Sequence, residues 1–99
     1  MNEFEKLLQA DRRLVILRTM AEDPGYSVNE YVLRRFLDVM KHQVSQDLLR
    51  SELAWLAEQG LVSTSDVAGT MTAKLTARGL DVATGSVVVP GVQRPEPEA

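Results

Sequence analysis

The residues that could carry chemistry are few, and their types narrow it quickly. The chain has 99 residues and no cysteine, so it has no thiol nucleophile, thiolate metal site or disulfide framework. His42 is the single histidine. One imidazole cannot make a histidine-rich metal centre, and beside an expected helix end it is a poor general base. A positive side chain there complements the negative end of the helix dipole, a role open to Lys41 as well. No phosphate-binding glycine loop and no pairing of a nucleophile with a base occurs. The expectation is a protein that is not an enzyme and holds neither cofactor nor metal.

The remaining chemistry is recognition, and charge bounds it. Fourteen acids face eleven bases, a net charge of −3, which weakens nonspecific attraction to polyanions. Residues 1–44 carry seven acids and seven bases, so the imbalance lies in 45–99, with seven acids against four bases. The longest apolar run, Leu14 to Leu17, is far below the roughly 20 residues of a membrane span. The acidic N-terminal stretch is unlike a signal peptide. A cytoplasmic protein without membrane contact is expected, with one domain over 1–85 and an extended or disordered tail over 86–99.

Recognition residues need elements to hold them, and Ser45 to Val62 is the best specified stretch. Ser45 can cap a helix and Val44 can staple against Leu49. Leu49, Leu53, Leu56 and Ala57 share one side, while Asp47, Arg50, Ser51, Ala54 and Glu58 share the other. Gly60 suits the left-handed stop. Trp55 lies on the flank, to be packed under the hairpin or the C-terminal segment, or else exposed as an anchor for a partner.

Upstream, 3–22 reads as a helix that is either a central core helix or one whose Phe4, Leu7 and Leu8 end covers a partner subunit. Asp23-Pro24-Gly25 closes it. Ser27-Val28-Asn29-Glu30 has the spacing of a capping box, with Tyr26 and Tyr31 at the staple positions, opening a second helix to about Lys41. Val32, Leu33, Phe36, Leu37, Val39 and Met40 form its expected buried arc. About three residues then precede Ser45, a helix-turn-helix spacing. Downstream, Leu61 to Val67 and Met71 to Leu75 read as a hairpin turning at Ala68-Gly69. Thr76 caps a last short helix ended by Gly85. From Pro90 the proline and acid content suggests a segment too poor in apolar groups to order itself.

The run Leu53-x-x-Leu56-x-x-x-Gly60-Leu61-Val62, then Leu75-Thr76-x-x-Gly79, resembles that of winged helix-turn-helix regulators of the ArsR, MarR and PadR type. Pro24-Gly25-Tyr26-Ser27-x-Asn29-Glu30 and Val89-Pro90-Gly91-Val92-x-Arg94-Pro95 are similar to stretches in small proteins of Mu-like phages and prophages. The first resemblance implies a mainly α fold, a three-helix core with a β-hairpin wing and a short C-terminal helix. It also implies a homodimeric regulator of transcription that binds double-stranded DNA through its third helix. Carried over by position, Gln43, Ser45, Gln46, Arg50 and Ser51 would face the groove, with Lys74 on the wing. The wing tip, Ser63 to Thr72, departs from the pattern: it has no lysine or arginine and contains Asp66. Arg12, Arg13, Arg34 and Arg35 could supply charge if the fold brought them to the same side. The competing expectation is a winged helix that binds protein and not DNA.

Overall fold

A computed structural model describes residues 1–97. Four helices and three strands follow one another as α1 (Glu3–Glu22), β1 (Ser27–Asn29), α2 (Glu30–Val39), α3 (Gln46–Glu58), β2 (Val62–Val67), β3 (Thr70–Leu75) and α4 (Ala77–Thr84). The strands form one antiparallel sheet in the order β1-β3-β2. This is a mainly α winged helix-turn-helix, with β2 and β3 as the wing. Among the described residues, no helix is long and apolar enough to cross a membrane.

The helical spacings carry the core. Ile16, Leu17 and Met20 of α1 meet Leu33 and Leu37 of α2 and Leu49, Leu53 and Leu56 of α3, all with essentially no exposed surface. Leu61, Ala73 and Leu75 extend this core under the sheet. The Ser45 hydroxyl accepts the Leu48 N–H at 3.0 Å, as the capping expectation required, and Gly60 takes φ +75° behind α3.

α2 differs from its sequence reading at both ends. Ser27 caps nothing: residues 27–29 form β1, whose Ser27, Val28 and Asn29 stand opposite Lys74, Ala73 and Thr72. Asn29 is the cap instead, its side chain accepting the N–H groups of Tyr31 and Val32 at 3.0 Å each. Tyr26 and Tyr31 are exposed and make no staple. α2 stops at Val39 because Lys41 turns left-handed, φ +69°, and the His42 N–H returns to the Leu37 carbonyl at 2.7 Å. The link to α3 is therefore Met40 to Ser45, longer than expected. His42 is buried, and its Nε2 lies 2.7 Å from Asp11 of α1. Val32, Phe36, Val39 and Met40, expected to be buried, are exposed.

α4 contains a glycine for a steric reason. A Cβ on Gly79 would overlap the Leu61 carbonyl oxygen, so only glycine lets α4 come this close to the chain entering β2. Beyond α4, residues 86–97 run back over α1 and α3. Val89 and Val92 are buried, and the Gln93 N–H donates to the Ala10 carbonyl at 3.1 Å. The segment after Pro90 thus holds more apolar contact than its composition suggests. Gly91 makes the bend at φ +97°, where a Cβ would press on Arg13 and Trp55.

Candidate nucleic-acid interface

α3 sits beside the wing, and its turns present three rows. Leu49, Glu52, Leu53 and Leu56 face the body and are buried. Asp47, Ser51, Ala54 and Glu58 make the outermost row and are exposed. Gln46 and Arg50 lie on the flank toward the wing.

That flank is closed by Glu30. Arg50 makes a two-pronged pair with it, Nε to Oε1 and Nη2 to Oε2, both 2.8 Å. Gln46 Nε2 donates to Oε1 at 2.8 Å, and the Met71 N–H of β3 donates to Oε2. Arg50 Nη2 also reaches the Gly69 carbonyl at the wing tip, 3.1 Å away. Glu30 has no exposed surface. The Arg50 guanidinium, followed by the Met71 N–H and Gln46 amide, outweighs burial and holds its carboxyl down to about 2. The same contact raises Arg50. One carboxylate at the start of α2 thus locks α3 to the wing.

Gln43, Ser45, Ser51 and Lys74 are exposed. Gln46 and Arg50 are brought together, with their polar heads directed to Glu30. The Ser45 oxygen is engaged as the cap of α3. On the wing, Asp66 accepts the Gly69 N–H at 2.8 Å and shapes the turn.

The four arginines of α1 and α2 separate into two groups. Arg12 and Arg13 turn to Glu52, at 3.4 and 3.2 Å. The Arg13 guanidinium stacks 3.7 Å over Trp55 and donates to the Gly91 carbonyl at 3.2 Å. Trp55 is therefore packed under the C-terminal segment. Arg34 and Arg35 form no salt bridge among the described residues. With Tyr31, Asp38, Gln43 and Val44 they line an open cleft of about 470 Å³ at the helix-turn-helix. Sequence reasoning named this pair without placing it, and it missed the Glu30 lock because the capping-box spacing offered a local partner.

Comparison with known proteins then places the chain. It is 46% identical over 93 residues to the uncharacterised protein gp26 of Escherichia phage Mu, covering 94% of this chain and 96% of that one. The chain belongs to the phage Mu gp26 family. A second member, an uncharacterised protein of Haemophilus influenzae, is 40% identical over 96 residues, 96% of this chain and 93% of its own. No family model matches. Among solved structures, that of the hsRosR-S4 complex superposes with a TM-score of 0.61 over 77% of this chain and 70% of its own. At 21% identity that likeness speaks for the fold of the family alone.

Proposed function

We infer that this member of the family is a DNA-binding protein, a phage- or prophage-encoded regulator of transcription acting through its helix-turn-helix. The observation that carries the reading is the cleft where Arg34 and Arg35, free of carboxylate partners among the described residues, flank Tyr31 and Gln43. Guanidinium groups there can take phosphates, while Gln43, Ser45 and Ser51 at the start of α3 reach base edges. Lys74 adds a contact from the sheet. Gln46 and Arg50 act here as the frame that fixes the angle between α3 and the wing, and Arg50 reads bases only by leaving Glu30.

Phosphate neutralisation supplies much of the affinity of such complexes. With few free cations and the acids Asp47 and Glu58 on the outer row of α3, binding is expected to be weak and strongly salt-dependent. The test is fluorescence anisotropy on duplexes selected from a random library, across a salt series. Arg34→Gln with Arg35→Gln should weaken binding and flatten the log–log salt slope by about 2, since each lost phosphate contact removes about 0.9. Absence of any complex at low salt would remove the reading.

A second reading is favoured by that same outer row. A helix face of Asp47, Ser51, Ala54 and Glu58 suits a basic protein surface better than a polyanion. A tight complex with a protein, surviving Arg34→Gln and Arg35→Gln but lost on Ser51→Arg, would select it.

A further inference from the structure

We propose that Asp47, on the outermost row of α3, reads a cytosine in the major groove and sets base preference at the start of that helix. The inference rests on the DNA-binding reading and names what that reading selects. The two side chains of α3 that could pair bidentately with a purine are already committed. Arg50, suited to guanine, and Gln46, suited to adenine, both end on the buried Glu30 carboxylate. The Ser45 hydroxyl is committed as well, to the Leu48 N–H. The polar groups that the first turns of α3 leave outward are Asp47 and, one turn on along the same row, Ser51, both exposed.

Shape and chemistry agree on this row. Asp47, Ser51 and Ala54 are short, so the helix can seat closely in a groove about 12 Å wide, hardly wider than a helix with its side chains. Asp47 lies in the first turn, where recognition helices meet base edges. It forms no salt bridge among the described residues, which leaves its oxygens open as acceptors. Cytosine alone shows the major groove a donor, N4–H2, with no acceptor beside it. Guanine and thymine offer acceptors, and adenine sets N7 next to its N6 donor. A carboxylate only accepts, so cytosine matches it and the other three bases repel it. Phosphates repel it too, so Asp47 lowers affinity for every duplex and contributes discrimination. Ser51, about 6 Å further along the helix, stands roughly two base steps away and both donates and accepts, so it selects little. A first-turn acid also suits the positive end of the helix dipole, but that role would leave base preference unmoved.

The test is selection of a random duplex library on the full chain at low salt, with the retained duplexes sequenced for the wild type, Asp47→Asn and Asp47→Ala. Circular dichroism confirms that each variant is folded. The wild type should enrich cytosine at one position and bind roughly tenfold more weakly when that base pair is replaced. Asparagine both donates and accepts and pairs with adenine, so Asp47→Asn should turn that position to adenine. Asp47→Ala should lose the cytosine, and the neighbouring positions should stay as they are in both variants. A motif unchanged in the variants, or a wild-type motif without cytosine, overturns the assignment while leaving DNA binding in place. A wild type that retains no duplex removes the DNA-binding reading, and the assignment with it.

Discussion

At the scale of single residues, Glu30 does the most. Its carboxylate ties together α2, α3 and the wing through Arg50, Gln46 and the Met71 N–H. Because its folded value lies near 2, below the ordinary 4.5, its contribution is complete above about pH 4.5 and is lost as pH falls toward 2. The urea midpoint of the wild type should therefore drop across that window. Glu30→Gln should be less stable at pH 7 and should show a smaller drop, because the amide keeps the shape but not the charge. A variant as acid-sensitive as the wild type would remove Glu30 from this role. The sequence could not reveal it. Ser27 and Glu30 are three apart, and that local signal suggested a capping box, whereas Arg50 is twenty residues away and becomes a partner only after folding.

At the scale of elements, what was legible was what is encoded locally. The Ser45 cap, the leucine spacing of α3 and the Ala68-Gly69 turn each lie within a few residues, and all three appear as read. β1 was hidden because three residues are too short for alternation to register, and their partners come from β3. Among the candidate contact residues, the exposure of Ser51 follows from the phase of α3 and that of Gln43 and Ser45 from their place in the polar link before it, while the cleft around Arg34 and Arg35 needs the angle between two helices. Gly79 offers a test of how closely α4 is held. Alanine there would gain up to about 1 kcal/mol of helix propensity. It would also force a methyl group into the Leu61 carbonyl, at about 2–3 kcal/mol of overpacking. Crowding wins, and Gly79→Ala should lower the melting temperature by about 5–15 °C in calorimetry. An unchanged transition would mean that α4 is free to shift outward.

At the scale of the molecule, cation placement decides what surface is left for a partner. Of the bases in α1 and α2, Arg12 and Arg13 are committed to Glu52, and that commitment anchors residues 86–97 through Gly91. Net charge and the acidic half were legible in composition; which arginines were already engaged was not. The C-terminal segment is a structural part of the body. Deleting everything after Gly85 would expose the pockets of Val89 and Val92, each worth about 1.5–3 kcal/mol. Against a typical total of 5–15 kcal/mol, the truncated chain should sit close to its unfolding threshold. Its denaturant midpoint should fall by a third or more, and a truncation with wild-type stability would show the segment to be dispensable.

The bond from the Gln93 N–H to the Ala10 carbonyl has a consequence for synthesis. A ribosome making 5–20 residues per second needs roughly 5–15 seconds to travel from one of those positions to the other. Throughout that interval the greasy side of the first helix has emerged while its last cover has not been made. Any pause while residues 86–97 are being translated prolongs the exposure of that side to proteolysis and clumping.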